Sequence, residues 1–195
     1  MIEPIRHGLA NLFKFKGRDP RSLFWPYAGF VFLLAFLVNA AVFLTVLGDT
    51  FGKMQRFAAS HPELATVQRS ATNYSISVHG QHPELEPSMS GLVGSVDALA
   101  ATALLLLAAA VARRLHDCGK SALWGLLPVP FLLMGMAGST VLFASFNSSS
   151  GPDLRLFSAI FMNNIIYIAS LVTLIVMLAK KSTQRLNRFG ELVSN

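Results

Sequence analysis

The chain has 195 residues, of which 53% are hydrophobic and 13% are charged, and its formal net charge is +6. Because soluble domains contain about 25% charged residues, this composition excludes the usual surface of a soluble domain. The basic residues flank long apolar runs, a pattern that favours anchoring against an anionic membrane leaflet, so no nucleic-acid partner is expected. The single cysteine, Cys118, excludes an internal disulfide.

Residues 1–23 form a basic segment ahead of the first apolar run. Its apolar residues recur at helical spacing, which predicts a short amphipathic helix lying on the inner leaflet, with a disordered basic tail as the alternative. These apolar residues are Ile2, Ile5, Leu9, Leu12 and Phe13.

Four windows are predominantly apolar over about 20 residues, the length that spans a bilayer as a helix. They cover residues 24–47, 92–112, 122–146 and 156–179. The sequence therefore predicts an all-α membrane protein in which residues 1–195 form one domain with four transmembrane helices. Residues 48–91 are predicted as an outer loop and residues 180–195 as a tail.

The distribution of basic residues predicts the orientation. Twelve of the 16 Lys and Arg residues lie ahead of the first helix, in the turn between helices two and three, and after the fourth helix. Cytoplasmic loops carry such an excess. We therefore expect both termini and this turn to be cytoplasmic.

The outer loop contains one tetrapeptide twice, at His61-Pro62-Glu63-Leu64 and at His82-Pro83-Glu84-Leu85. Imidazole and carboxylate groups can bind transition metals, and His79 adds a third imidazole. The spacing fits no compact ligand motif. We therefore expect no metal or cofactor, and a loop that is partly helical and partly irregular.

Small residues and prolines mark the second and third apolar windows. Gly94, Ala98 and Thr102 recur every four residues, as do Gly135 and Ser139, and such stripes let membrane helices approach closely. Two prolines in the third window predict a kink in its cytoplasmic half, since proline disrupts the helical hydrogen-bond pattern. They are Pro128 and Pro130.

The turn at residues 112–124 is the densest group of ionisable residues in the chain, between uncharged runs at 98–111 and 122–147. Gly119 is placed to end helix two and Ser121 to cap helix three. Arg113 and Arg114 could bind lipid phosphates with their forked donors.

Asp117 offers two interpretations. It could orient His116 as a general base, or pair with a cationic side chain, namely Arg18, Arg21, Arg113 or Arg188. Neighbouring residues at a helix end need not face each other, and no Ser or Cys has a recognisable nucleophile setting. We therefore interpret the turn as a topology signal held by salt bridges, without catalysis.

Three motifs that lie far apart in the sequence are predicted to meet at the cytoplasmic helix ends. They are Phe-Lys-Gly-Arg-Asp-Pro-Arg-Ser-Leu-Phe-Trp at 15–25, the turn itself, and Asn-Arg-Phe-Gly at 187–190. Together they resemble the bacterial inner-membrane family called "domain of unknown function 805". Its recurring features are Gly-Arg-x-x-Arg-x-x-Phe-Trp, Arg-Arg-Leu-His-Asp-x-Gly-x-Ser and a terminal Asn-x-Tyr-Gly.

The resemblance implies a small protein of the bacterial inner (plasma) membrane and implies no assigned activity. The chain departs from the family pattern at Ala122-Leu123, where Gly-Trp is usual, and at Phe189, where Tyr is usual. A phenolic hydroxyl is therefore not expected to be essential at position 189.

Polar residues also occur within the apolar windows. Asn39, Asp97 and Asn164 each lie 15 residues from the cytoplasmic end of their window, at a depth of about 22 Å. A lone carboxylate there would be costly, so we expect Asp97 to hydrogen-bond to Asn39, Asn164 or the adjacent Asn163. The alternative places Asp97 in water at the outer interface.

These observations favour a non-enzymatic membrane protein whose basic cytoplasmic face binds anionic lipid or, alternatively, a protein partner or a second copy of the chain. A transporter or channel subunit with an intramembrane polar layer is the second interpretation, and a lipid-modifying enzyme the third. The expected binding cluster is Arg18, Arg21, Trp25, Arg113, Arg114, His116, Asp117, Lys120, Ser121, Trp124, Asn187 and Arg188.

Overall fold

The computed structural model describes residues 2–70, 72–80, 82–87, 89–146 and 153–183. Its α-helices are α1 (Ile2–Ala10), α2 (Arg21–Ser60), α3 (Met89–Asp117), α4 (Val129–Phe146) and α5 (Leu154–Leu178). Four helical segments are long and apolar enough to cross a membrane. The predicted all-α membrane fold is confirmed, and the chain is a multi-pass membrane protein.

Helix α2 is longer than the apolar run that predicted it. It extends over 40 residues to Ser60, whereas the apolar window ends at residue 47, so the helix continues about 20 Å beyond it. An ion pair one turn apart, Lys53 Nζ to Asp49 Oδ2 at 2.9 Å, lies in this extension. Hydropathy marks where an apolar run stops, and this helix continues through polar residues.

The segment predicted as an outer loop contains a β-hairpin. Strand β1 (Ala65–Arg69) pairs antiparallel with β2 (Tyr74–Val78), and Tyr74 contacts the ring of Phe51 edge-on at 5.7 Å. A short 3-10 helix, Pro83–Leu85, follows. The prediction of an irregular segment missed this hairpin, although the alternation in Tyr-Ser-Ile-Ser-Val is the period of a strand.

Helix α3 ends at Asp117, and Gly119 lies just beyond its end, as predicted. This glycine has a φ of 71°, which suits glycine best. The backbone N–H of Lys120 donates to Leu115 O at 2.8 Å, and that of Gly119 to His116 O at 3.0 Å. These two bonds form a Schellman motif, which satisfies carbonyls at the end of the helix.

The predicted kink in the third window is instead a break. Residues Ala122–Leu126 form a 3-10 helix, in which Ser121 Oγ accepts from the backbone N–H of Leu123 at 3.4 Å. Helix α4 then begins at Val129, just after Pro128, and carries Pro130 in its first turn. Proline fits a first turn because its missing N–H would have no helical partner there.

The buried apolar core lies at one end of the bundle, where α2 begins and where α3 and α5 end. We call this end of the bundle the core end. The opposite end carries the β-hairpin, and we call it the hairpin end. Residues of α2, α3 and α5 form this buried apolar core: Phe24, Tyr27, Ala28, Val31, Ala110, Leu115, Leu174 and Leu178.

The two predicted small-residue stripes differ in outcome. A Cβ added at Gly135 would lie 3.4 Å from Asn163 Nδ2, so α4 and α5 approach closely there. Nothing lies within 4 Å of a Cβ added at Gly94, and Ala98 and Thr102 are exposed. The predicted close contact is therefore not made at Gly94 or Ala98 among the described residues, whereas Thr102 lines a crevice between α2 and α3.

Candidate functional site

Five charged side chains are buried together at the core end, and we call them the arginine–aspartate cluster. They come from the loop before α2 and from the last turns of α3, and each is at most 4% exposed. Its members are Arg18, Asp19, Arg113, Arg114 and Asp117. Three cations and two carboxylates leave the cluster with an excess of one positive charge.

Asp117 accepts hydrogen bonds from three segments of the chain. Arg114, one turn earlier on α3, donates from Nη1 to Asp117 Oδ2, and Arg18 Nε donates to Oδ1 at 3.3 Å. Ser182, which follows α5, donates from Oγ to Oδ2 at 2.5 Å. The carboxylate therefore joins the N-terminal loop, α3 and the segment after α5.

Asp19 is the second carboxylate of the cluster, and it was not among the residues predicted from the sequence. It accepts from Arg113 Nε at 2.8 Å and lies 3.1 Å from His7 Nε2, while its backbone N–H donates to Arg113 O at 3.2 Å. The signal that could have found it is an acidic residue between Arg18 and Arg21 in an otherwise basic segment. Such a residue is a natural partner for a cation that must be buried.

Two arginines bind the last backbone carbonyls at the C-terminus of α5. Arg114 Nε donates to Leu178 O at 2.9 Å and its Nη2 to Lys180 O at 2.5 Å. Arg21 donates from Nε to Lys180 O at 3.1 Å and from Nη2 to Ala179 O. The last carbonyls of a helix have no helical donor and carry partial negative charge, so guanidinium groups stabilise this end.

Arg113 holds the N-terminal segment against α3. Its Nη1 donates to Asn11 O at 2.7 Å and to Lys14 O at 2.5 Å. Its Nη2 is the buried side-chain nitrogen that has no hydrogen-bond partner among the described residues. The guanidinium thus fixes the turn after α1 through backbone atoms.

One of the four alternative partners predicted for Asp117 is confirmed, and Arg114, which was not among them, also pairs with it. Arg18 pairs with it as expected, at 3.2 Å, but Arg113 pairs with Asp19 and Arg21 binds the carbonyls of α5. The fourth predicted partner, Arg188, lies outside the described residues with Asn187.

The alternative interpretation of the turn, a dyad of His116 and Asp117, is not supported. His116 Nδ1 lies 3.3 Å from Gly17 O, and Asp117 is bound to Arg18 and Arg114. Consecutive residues of a helix point in different directions, which explains the separation. The imidazole described at the core end with a carboxylate partner is instead His7, which pairs with Asp19.

The remaining described site residues lie close to the cluster in the chain, Trp25 near the start of α2 and the other three just after α3. Trp25 and Trp124 are exposed, and Lys120 and Ser121 are half-buried. Exposed basic residues lie on α1 and the loop after it, at the first residue of α2, and after α5: Arg6, Lys14, Lys16, Arg21, Lys180 and Lys181. Apart from Lys120, the described Lys and Arg residues of this end thus divide into a buried set and an exposed set.

Cys118 lies beside the cluster, with Sγ 3.7 Å from Lys180 O. Burial raises the pKa of its thiol, while the Arg114 guanidinium opposes that shift. A thiol with a raised pKa stays protonated at neutral pH and is a poor nucleophile.

The predicted hydrogen-bonded layer around Asp97 is not formed. Asp97 is half-buried, and Asn39 and Asn164 are exposed. Asn163 is buried, but its Nδ2 donates to Phe131 O on α4 at 2.9 Å. Within the described residues no hydrogen bond joins Asp97 to any of the three asparagines, because Asn163 faces α4 instead.

His61 and His82, from the repeated tetrapeptide, meet on one aromatic ring. Their rings lie 4.6 Å and 4.5 Å from that of Phe57, and His82 Nδ1 is 3.1 Å from Glu84 Oε1. Across the part of the chain that the structure describes, no group of three or more His, Cys, Asp or Glu side chains could hold a metal ion.

Four apolar helices with a buried polar cluster at one end define an integral membrane protein. The chain belongs to the family described as protein of unknown function (DUF805), whose model matches residues 12–191. That match extends from the loop after α1 through the segment after α5, so it includes every residue of the cluster. No curated protein and no solved structure matches the chain.

Proposed function

We propose that this protein is a non-enzymatic membrane module whose core end lies at the cytoplasmic leaflet of a bacterial inner membrane and binds anionic lipid there. The observation that carries the proposal is the exposed set of basic residues around the buried cluster. Each cation near an anionic surface contributes about 1 kcal/mol of attraction. Trp25 and Trp124, exposed at the same end, suit the headgroup level of a bilayer.

The lipid contacts are assigned to the exposed basic residues rather than to Arg113 and Arg114. Arg114 is 0% exposed and donates to Asp117, Leu178 and Lys180. A phosphate that replaced these acceptors would remove a buried cation from Asp117, which would keep only Arg18 and Ser182 as described donors, and losing one partner of a buried charge pair is strongly unfavourable. The buried arginines therefore support the helix ends, and the lysines around them face the lipid.

The two other interpretations have less support. A lipid-modifying enzyme would need an activated nucleophile or base at this end, but Asp117 does not orient His116 and burial keeps the Cys118 thiol protonated. A transport path would need polar groups that line a route across the bilayer. Among the described residues Asp97 forms no hydrogen bond to the asparagines. The crevice between α2 and α3 is lined by apolar side chains, such as Val31 and Leu99, with Thr102 as its one polar residue.

Lipid binding is tested by replacing four exposed lysines of the core end with glutamine: Lys14, Lys16, Lys180 and Lys181. The matched control replaces four basic residues of the hairpin end in the same way: Lys53, Arg56, Arg69 and Arg155. Both proteins are placed in nanodiscs of phosphatidylglycerol and phosphatidylethanolamine, and the lipids that each retains on release into detergent are counted by native mass spectrometry.

The core-end variant should lose the preference for phosphatidylglycerol, by up to about fivefold per charge removed. The hairpin-end variant should keep it. Equal retention of phosphatidylglycerol by both variants and the parent would overturn the proposal.

Orientation is tested separately by thiol labelling of intact cells with a membrane-impermeant reagent. Cys118 should remain unlabelled, whereas Thr72→Cys in a Cys118→Ser background should react. Because the Cys118 thiol has a raised pKa, a permeant reagent at alkaline pH serves as the positive control for its reactivity. Labelling of Cys118 by the impermeant reagent would contradict the proposed orientation and would mean that the core end lies outside the cell membrane.

A further inference from the structure

Helix α1 and the turn after it have two apolar faces. One packs on the bundle: Gly8 is buried, a Cβ there would overlap the ring of Tyr27, and Leu12 contacts the core. The other is open, with Ile2 at 81%, Leu9 at 44% and Phe13 at 91% exposure. The sequence placed Leu9, Leu12 and Phe13 on a single face, and the structure separates them.

The open face is bordered by positive charge. Arg6, Lys14 and Lys16 are exposed around it, and Glu3 is the exposed acidic residue of the same helix. Phe15, between the two lysines, is 49% exposed. Apolar side chains surrounded by a net excess of basic ones match the boundary between headgroups and acyl chains in an anionic leaflet.

The backbone of this segment is fixed from the bundle side. Arg113 donates to the carbonyls of Asn11 and Lys14, and Asn11 Nδ2 donates to His7 O at 2.8 Å. Because these bonds hold the turn, little conformational entropy remains to be lost when its outward side chains bind a partner.

The position of the segment along α2 agrees with a membrane surface. Gly8 contacts Tyr27, which lies six residues after the first residue of α2 and so about 9 Å along its axis. The apolar window of α2 begins at residue 24, three residues before Tyr27, so α1 packs on α2 within about 5 Å of that point along the helix axis.

We infer that Ile2, Leu9, Phe13 and Phe15 insert into the surface of an anionic phospholipid leaflet, with Arg6, Lys14 and Lys16 at the level of the phosphates. The inference rests on the proposed lipid-binding function and names the element that enters the bilayer. The partner is the bilayer surface rather than a protein or a second copy of the chain.

Tryptophan fluorescence tests the insertion. The native tryptophans are removed by Trp25→Phe and Trp124→Phe, and Phe13→Trp supplies one reporter, with Tyr74→Trp on the β-hairpin as the matched control. Each protein is placed in nanodiscs that contain phosphatidylglycerol, with or without lipids brominated near the headgroup end of the acyl chain. Thermal unfolding of each variant establishes that the fold is retained, as expected for a side chain that is 91% exposed.

Brominated lipid should quench the reporter at position 13 by about twofold, as expected for an interfacial residue, and leave the reporter at position 74 unchanged. Equal emission at position 13 with and without bromine would overturn the inference. If the lysine variants still lose phosphatidylglycerol in that case, the proposed function stands without it.

Two further outcomes identify other occupants. Quenching of the same size in discs of phosphatidylcholine alone would overturn the requirement for an anionic leaflet. Emission at position 13 that shifts with the number of protein copies per disc, and not with bromine, would overturn the inference in favour of a second copy.

Discussion

The ion pairs of the arginine–aspartate cluster at the core end are buried and join several segments, whereas the ion pair of Asp49 and Lys53 toward the hairpin end is exposed and local. Asp117 and Asp19 lie below 5% exposure and bind residues up to 99 positions away. Asp49 binds Lys53, one turn away, with its side chain 58% exposed. Solvent screens an exposed ion pair, so it contributes about 0–1 kcal/mol to the free energy of unfolding. Removing one partner of a buried ion pair costs about 3–5 kcal/mol.

This difference indicates what each end does for the fold. In lipid, apolar surfaces gain little from packing against one another, so polar bonds and close contacts must hold helices together. The arginine–aspartate cluster supplies them at the core end, where it joins the N-terminal loop, α3 and the segment after α5. The hairpin end has no described group of this kind, so its helices depend less on charge.

The largest expected effect is at Asp117. Asp117→Asn leaves Arg18 and Arg114 buried without their shared carboxylate, so we expect a loss of about 3–5 kcal/mol in the free energy of unfolding. Asp49→Asn, the matched change at the hairpin end, should cost at most about 1 kcal/mol. Unfolding in detergent, followed by circular dichroism, measures both.

Equal stability of the Asp117→Asn and Asp49→Asn proteins would mean that the cluster does not hold the core end together. A double variant, Asp117→Asn with Arg18→Gln, sharpens the measurement. Its loss should be smaller than the sum of the two single losses, because the two residues are partners.

The next largest changes in stability are expected from substitutions at two glycines. Gly8→Ala places a Cβ against the ring of Tyr27, and such overpacking costs about 1–3 kcal/mol. Gly48→Ala, on α2 toward the hairpin end, meets nothing within 4 Å and should stabilise the helix by about 0.5–1 kcal/mol. Opposite signs in the same unfolding assay are the expected result. A neutral Gly8→Ala would show that α1 is not packed on α2.

The sequence predicted those parts of the fold that depend on local signals. The apolar windows located four helices, and Gly119 and Ser121 marked the turn, because positive φ and side-chain capping are properties of single residues. The extension of α2 through Asp49 and Lys53 was missed because polar residues end an apolar run without ending a helix. The β-hairpin was missed because its two strands are only five residues each.

The sequence predicted which residues belong to the cluster better than it predicted which of them pair with each other. The motifs correctly brought Arg18, Arg114 and Asp117 to one end, but they could not assign Arg113 to Asp19. That pairing depends on how the loop before α2 crosses α3, which is a long-range property. The predicted polar layer of Asp97 and the asparagines was wrong for a related reason. Equal depth in the bilayer does not determine which way Asn163 faces around its helix.

The thiol of Cys118 should react more slowly than a cysteine at the hairpin end. Its pKa is raised because it is partly buried, so at any pH below that pKa a smaller fraction of it is the reactive thiolate. A thiol whose pKa is higher by one has about tenfold less thiolate and is alkylated correspondingly more slowly. Ser60→Cys in a Cys118→Ser background provides the exposed comparison. The rate at Cys118 should rise at higher pH than the rate at position 60, and coincident pH profiles would contradict this.

The smallest expected effect is the titration of Glu84 at the hairpin end. Its own backbone N–H and, secondarily, the His82 side chain lower the pKa of this exposed carboxyl. A lowered pKa in the folded state means that the stabilisation is present above the unfolded pKa and is lost as pH falls through the folded value, which places the change in the acidic range. Carbon-13 NMR in detergent should show Glu84 titrating below the ordinary glutamate value. His82→Asn should raise that pKa only in part, since the backbone bond remains, and a complete return to the ordinary value would identify the imidazole as the main cause.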